Sequence, residues 1–351
     1  MSSWRDNVRK VVPYVPGEQP KVKDVIKLNT NENPYPPSKK VKDALQDAKY
    51  KQLRKYPDPS CQQLVEKLAD TYKVEKEQIF VGVGSDDVLA MSFMTFFCSQ
   101  KPVLFPDVTY SFYDVWADLY KIPYERVPLD ENFQLKAEDY CRENGGIIFP
   151  NPNAPTGLAI STGEIEKILS ANPDSVVIVD EAYVDFGTES ALPLLEKYEN
   201  LLVVQTFSKS RSLAGIRIGF AIGSKELISY LWAARNSFNS YTLNGVATAV
   251  GTAALEDDSY FKECCQKIIK TREEAKKRFK KLGFQFGDSA ANFIFVKHEK
   301  VAADILFQEL REKNIFVRHF NGDRTKDYLR VTIGTDEEME KLFEYLEKRL
   351  A

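Results

Sequence analysis

The chain has 351 residues, 43% hydrophobic and 28% charged, enough to bury a sizeable core in two lobes. Its 48 basic and 51 acidic residues leave a formal net charge of −3, so no basic face or block of like charges selects nucleic acid as a partner. No apolar run approaches the roughly 20 residues that cross a bilayer, which sets a membrane partner aside, and two histidines, His298 and His319, are too few for a His-rich metal site or a histidine triad.

The N-terminal segment, residues 1–33, is rich in Pro, Asn and Lys with little periodicity, and is expected to be an ordered arm crossing between lobes. A large lobe is expected over 34–224, and linking helices with a smaller C-terminal lobe over 225–351. Asp58-Pro59 opens a helix on which Leu64, Leu68 and Tyr72 share a face. The stretch Phe80–Leu89 reads as strand, glycine turn and helix start, an anion site in which the backbone N–H groups of Ser85 and Asp86 would face a phosphate. Asp87 stands where a dinucleotide fingerprint needs its third glycine, which disfavours a nicotinamide dehydrogenase.

Strands follow at Val103–Phe105 and Ile147–Phe149, the second running into a rigid Pro/Asn/Gly loop that ends at Gly157. Ser161 and Glu164 form a capping box ahead of Ile165, Ile168 and Leu169. The continuous apolar run Val176–Val179 reads as a buried parallel strand ending at Asp180. Open α/β sheets bind ligands in the crevice outside such strand ends, where a carboxylate can hold a pyridine nitrogen protonated; read alone, Asp180 equally caps a turn. Another strand, Leu201–Val204, leads into Ser208-Lys209, a lysine suited to imine chemistry with a cofactor aldehyde, though an isolated lysine is more simply a solvated one. Arg217, in the next strand Ile216–Ile222, can add a guanidinium fork to a phosphate.

Beyond Ser224 long charged helices are expected through Leu282, with Lys276-Lys277 and Lys280-Lys281 on a solvated face. Strands at Asn292–Val296 and Leu329–Ile333 precede a last helix boxed by Thr335 and Glu338, with Met339, Leu342, Phe343 and Leu346 at helical spacing. Alternating helix and strand signals place the chain in the α/β class. Cys61, Cys98, Cys141, Cys264 and Cys265 lack ligand spacing, and the first residues lack the apolar core of a signal peptide, so a reducing cytoplasm is expected.

Phosphate turn, Asn-Pro loop, Asp-x-x-Tyr, Ser-Lys and downstream Arg, in this order, resemble the fold-type I pyridoxal phosphate-dependent aminotransferases. The resemblance runs from Pro13-Tyr14 through Asn29–Pro34 and Lys55–Pro59 to Tyr328–Gly334, and is greatest with the branch that acts on histidinol phosphate. It implies an α/β fold with a large, mostly parallel-sheet cofactor domain and a smaller α/β C-terminal domain. It further implies that Lys209 joins the cofactor, pyridoxal 5'-phosphate, as an imine, that Asp180 pairs with the pyridine nitrogen, and that Tyr183 bonds the phenolic oxygen. Tyr110 would lie on the ring; Ser85, Asp86, Thr206, Ser208 and Arg217 would surround the phosphate, and Tyr56 would reach it from a neighbouring subunit of a homodimer. Arg330 would receive the substrate's anionic group, with Arg318, Tyr14 and Asn31 as further contacts.

The implied reaction moves an amino group from histidinol phosphate to the 2-oxo acid acceptor 2-oxoglutarate, within histidine biosynthesis. One position departs from the family pattern: Ala154 stands where an asparagine usually contacts the phenolic oxygen, and Asn153 is expected to turn in to replace it. Rival readings are threonine-phosphate decarboxylase and a broad aromatic or branched-chain aminotransferase. A nicotinamide-dependent oxidoreductase and a non-catalytic cofactor-binding regulator stand further off.

Overall fold

The computed structural model describes residues 3–21, 23–47 and 50–351. After the short β1 (Ile26–Lys27), the strands β2 (Ile79–Gly82), β3 (Val103–Pro106), β4 (Tyr124–Val127), β5 (Gly146–Pro150), β6 (Val177–Asp180), β7 (Leu201–Thr206) and β8 (Gly219–Gly223) follow in turn. From β2 onward they form a seven-stranded sheet in the order β2-β8-β7-β6-β5-β3-β4, in which β8 runs against the other six. Period-two alternation divides the apolar side chains between two faces. Phe80, Phe105, Ile148, Ile178, Leu202 and Val204 share one cluster, while Ile147, Phe149, Val177, Val179, Leu201 and Val203 share another.

Helices cover both faces. In chain order they are α1 (Lys39–Gln46), α2 (Gln62–Tyr72), α3 (Gly84–Phe96), α4 (Phe112–Tyr120), α5 (Thr162–Ala171), α6 (Lys225–Phe238), α7 (Gly245–Leu255) and α8 (Asp258–Lys281). The first cluster is closed by Phe93 of α3, Trp116 of α4 and Leu231 of α6; Ile165 and Leu169 of α5 close the second. Leu64 and Leu68 of α2 meet Val250 of α7 over Ile79, Val81 and Phe220. Each such side chain contributes about 1.5–3 kcal/mol when fully buried, so this lobe has a large apolar reserve against the polar groups it buries.

A second sheet is built from β9 (Phe284–Phe286), β10 (Phe293–His298), β12 (Arg318–His319) and β13 (Leu329–Thr332), antiparallel in the order β12-β13-β10-β9, while β11 (Ile315–Phe316) pairs in parallel with β1. The helices α9 (Ala303–Glu312) and α10 (Asp336–Leu350) complete this part, where Phe279 of α8 packs with Ile294, Leu310 and Leu342. The N-terminal segment is fastened here. Besides the β1–β11 pairing, Thr332 N–H donates to the Leu28 carbonyl, Asn31 N–H to Thr332 Oγ1, and Arg311 forms an ion pair with Glu18.

Several local expectations are corrected. The strand expected from Ile216 starts at Gly219, because Arg217 takes a left-handed φ of 59° and turns the chain first. The edge strand β4 has no apolar run to announce it; its Glu125 and Arg126 face outward in ion pairs with Arg142 and Asp114, which keeps a sheet edge from pairing further. Helix α7, expected as charged, is Gly-Val-Ala-Thr-Ala-Val-Gly-Thr-Ala-Ala-Leu and largely buried. Lys276 is not on a solvated face but lies against the protein, bonded to Asp288 and Glu273. Thr335 and Glu338 close both halves of a capping box, whereas at Ser161 only the serine half forms and Glu164 turns to Lys167.

Candidate active site

Strand direction brings the polar residues together. The carboxyl ends of the parallel strands β2, β3, β5, β6 and β7 lie along one sheet edge, so the segments after Gly82, Pro106, Pro150, Asp180 and Thr206 all emerge there. Because β8 runs the other way, its amino end delivers Arg217 to the same edge.

Asp180 is the last residue of β6 and is buried. The Tyr113 hydroxyl donates to its Oδ2 at 2.9 Å and the Ala182 N–H to its Oδ1 at 3.2 Å. Burial pushes the Asp180 carboxyl up to about 6, against the pull of those two donors, so this carboxylate gains from a cation brought into contact. Tyr113 is fully buried, and burial together with Asp180 holds its hydroxyl well above the usual phenol range, which keeps it a donor.

Lys209 extends to the segment that follows β1. Its Nζ donates to the Thr30 carbonyl at 3.1 Å and lies 5.8 Å from the centre of the Tyr183 ring. Asn31 Nδ2 donates to the Tyr183 hydroxyl at 2.9 Å, and the Asn29 carbonyl accepts from Arg330 Nη2 at 3.1 Å. Three successive residues therefore touch the lysine, the tyrosine and the arginine. The turn bearing Lys209 is fixed on either side, since the Ser210 hydroxyl donates to Asp185 and Asn33 Nδ2 donates to the Ser210 carbonyl.

At the start of α3 the backbone approaches β8 so closely that a Cβ on Gly219 would collide with the Ser85 nitrogen, and Gly84 takes φ +83° with the Arg217 guanidinium against it. Asp86 does more than offer an amide: its carboxylate accepts from Arg217 Nη2 at 3.0 Å and from the Tyr110 hydroxyl at 2.7 Å. Ser208 Oγ lies between Arg217 Nη1, at 3.4 Å, and the Thr206 hydroxyl, at 3.0 Å. Ser85, Asp86, Thr206, Ser208 and Arg217 are thus neighbours at the start of α3.

Arg330, in β13, is sandwiched by Phe293 and Phe320, whose ring centres lie 5.3 and 5.5 Å from its Cζ. Burial pushes its pKa down, and among the described residues its buried Nε has no hydrogen-bond partner. A partly buried guanidinium with an unspent, buried Nε donor favours an incoming anion. Arg318 lies over the same Phe320 and donates to the Val15 carbonyl, while Tyr14 stacks on Phe112 at 4.1 Å.

Two expected residues stand apart. Tyr56 is 81% exposed and stacks on Tyr241, beside a groove of about 1080 Å³ lined by Ala44, Leu53, Val246 and Ala253. Asn153 is engaged locally: its amide donates to the Val108 carbonyl and Thr156 Oγ1, and its oxygen accepts from Thr109. Asn153 ties the Tyr110 loop to the Asn-Pro loop instead of turning in where Ala154 leaves a gap; the side-chain amide on Tyr183 is that of Asn31. Sequence reasoning did not single out Tyr113 or Asp185, because a tyrosine in an aromatic-rich helix and an aspartate near a turn carry no periodic signal of their own.

The family description "Aminotransferase class I and II" matches residues 23–346. The chain belongs to that family. As a class I and II aminotransferase it uses pyridoxal 5'-phosphate. It is 54% identical over 344 residues to the histidinol-phosphate aminotransferase of Lactococcus lactis subsp. lactis, covering 98% of this chain and 96% of that one. It is 52% identical over 349 residues to the histidinol-phosphate aminotransferase of Clostridium acetobutylicum, covering 99% of both. The crystal structure of histidinol-phosphate aminotransferase from Sinorhizobium meliloti in complex with pyridoxal-5'-phosphate has the same fold, with a TM-score of 0.83 at 24% identity over 92% of this chain and 90% of that one. The aminotransferase's own residues suit the cofactor: a buried carboxylate stands ready for a pyridinium, a lysine rests on a single carbonyl, and a glycine-lined helix start lies beside an arginine for a phosphate.

Proposed function

We propose that this aminotransferase moves the amino group of histidinol phosphate to 2-oxoglutarate, forming imidazole acetol phosphate and glutamate, as a homodimer in the cytoplasm. The observation that carries this reading is the contact of Asn29, Thr30 and Asn31 with Arg330, Lys209 and Tyr183: one short segment gathers an amine, a phenol and a partly buried guanidinium. The names borne by relatives at 54% and 52% identity supply the substrate.

When bound, pyridoxal phosphate supplies an electron sink for the substrate's α-carbon. Asp180 would pair with the protonated pyridine nitrogen, and the donors from Tyr113 and Ala182 fix the orientation of its carboxylate. The Tyr183 hydroxyl, held by Asn31, would bond the ring oxygen in the role that falls vacant at Ala154. The Lys209 amine would act as the base that takes the proton from the substrate α-carbon in one half of the transfer and as the acid that returns a proton to the α-carbon of the second substrate in the other. Ser85 and Asp86 backbone amides, Thr206, Ser208 and Arg217 would hold the cofactor's phosphate. Arg330, with Arg318 beside it, receives in turn the phosphate of one substrate and a carboxylate of the other, since a guanidinium fork matches both. The rings of Phe293 and Phe320 beside it lower the local polarity and strengthen the interaction.

The homodimer reading is supported by Tyr56, exposed beside an apolar groove with Leu53 and free to serve a neighbouring phosphate site. The cytoplasmic reading rests on five unpaired cysteines, and among the described residues no helix is long and apolar enough to cross a membrane. We take residues 1–33 as the arm, 34–224 as the cofactor domain and 225–351 as the linking helices and smaller domain. The test is the visible spectrum of the cofactor-loaded protein. Histidinol phosphate alone should bleach the band of lysine-bound cofactor, and 2-oxoglutarate should restore it. Carbon dioxide release from threonine phosphate, or equal turnover of unphosphorylated aromatic amino acids, would overturn the assigned substrate.

A further inference from the structure

Arg235, near the end of α6, heads the largest fully buried side chains of the protein. Among the described residues no carboxylate is hydrogen-bonded to it. Among the described residues its Nε and Nη1 have no partner, and burial pushes its pKa down. A position that only needed filling would hold an apolar side chain of similar volume at less cost in desolvation. The bonds Arg235 does make are therefore informative. Its Nη2 donates to the Pro59 carbonyl at 2.5 Å and to the Ser240 carbonyl, while its guanidinium lies 4.6 Å from the Trp232 ring centre.

Those two carbonyls belong to the two segments that present Tyr56. Pro59 follows Tyr56 by three residues, and Ser240 precedes Tyr241, whose ring stacks on Tyr56 at 4.6 Å and 27°. Pro57 and Pro59 remove backbone N–H donors from the Tyr56 segment, so its carbonyls are its main handles on the rest of the fold. Asp58 anchors only the downstream end, accepting from the N–H groups of Ser60 and Gln62 at the entry to α2. Among the described residues Arg235 is the one side chain hydrogen-bonded to both segments.

We infer that Arg235 is a positioning residue that sets Tyr56 for the phosphate site of the neighbouring subunit. This rests on the homodimer reading above and deepens it. The consequence is directional: losing Arg235 from one subunit should weaken the cofactor site of the other.

Hybrid dimers of two differently tagged chains test this, read by the release rate of cofactor from the lysine-bound visible band, which only a Lys209-bearing site gives. In the first hybrid one chain carries Lys209→Ala and the other Arg235→Met; the surviving band belongs to the Arg235→Met chain, whose neighbour keeps Arg235. Release should match that of a Lys209→Ala/wild-type hybrid. In the second, one chain carries both substitutions and its partner is wild type; release from the wild-type chain should be about tenfold faster. Arg235→Lys, which keeps a donor but cannot bridge both carbonyls, replaces Arg235→Met if the latter does not fold. Faster release in the first hybrid and not the second, or in neither, overturns the role of Arg235. The same pair built with Tyr56→Phe separates that failure from failure of the underlying reading: if the Tyr56→Phe defect also stays within its own chain, or no dimer forms, the neighbour-subunit role of Tyr56 falls instead.

Discussion

The interior of the central sheet and its carboxyl edge are adjacent in sequence and opposite in character. In β6, Val177, Ile178 and Val179 have no exposed surface, and the next residue is Asp180, a buried carboxyl pushed up to about 6. The interior is held by many interchangeable apolar contacts on two faces. The edge is held by few, directional ones: Tyr113 to Asp180, Asn31 to Tyr183, Arg217 to Asp86. Burying charge without a full set of partners costs free energy, which the interior offsets. Function is thus stored where stability is locally lost.

The largest expected effect is at the edge. Lys209→Ala should lower kcat by at least about a thousandfold while the apoprotein keeps its unfolding midpoint, because the lysine makes one hydrogen bond to a carbonyl. Turnover at the wild-type rate would remove Lys209 from the chemistry.

The converse substitution lies in the interior. Ile148→Ala should cost about 2–5 kcal/mol in denaturant unfolding with cofactor affinity unchanged, as Ile148 is wholly buried in the cluster capped by α3, α4 and α6. A tenfold weaker affinity with unaltered stability would break the division between the two regions.

The pH dependence of stability separates them further. The Asp180 carboxyl is raised from 3.8 to about 6 in the folded chain, so its contribution is fully present below pH 3.8 and lost as the pH rises through about 6. That loss amounts to about 3 kcal/mol, and in the apoprotein Asp180→Asn should flatten the difference over this window. Equal slopes for variant and wild type would mean that Asp180 does not titrate there.

The smallest effect sharpens the edge itself. Tyr113→Phe should lower kcat about tenfold, by removing the donor that keeps Asp180 oriented and ionised. An unchanged rate would leave Tyr113 as packing alone.

Much of the edge was legible in the sequence because each part sits at a strand end with its own local mark. Asp180 closes an apolar run, Lys209 follows another, and Gly82 and Gly84 announce the turn into α3. Side-chain orientation was not legible. Asn153 and Asn31 are both asparagines in Asn/Pro-rich segments, and only coordinates tell that the first is spent on Val108, Thr109 and Thr156 while the second reaches Tyr183. Tyr113 and Arg235 were invisible for a related reason: their partners, Asp180 and Pro59, lie 67 and 176 residues away. The strand β4 escaped because an exposed edge strand needs no apolar run.

By itself the sequence determined the α/β class, the sheet strands with apolar runs and the order of the chemical motifs, since these depend on periodicity and turn chemistry within a few neighbouring residues. Only the tertiary structure decided which donors meet which acceptors. The antiparallel insertion of β8 carries Arg217 to the edge, and the pairing of β1 with β11 brings Asn29, Thr30 and Asn31 over Arg330, Lys209 and Tyr183. Hydrogen bonds are short-ranged and directional, so which of them form is settled by chain segments that no local pattern relates.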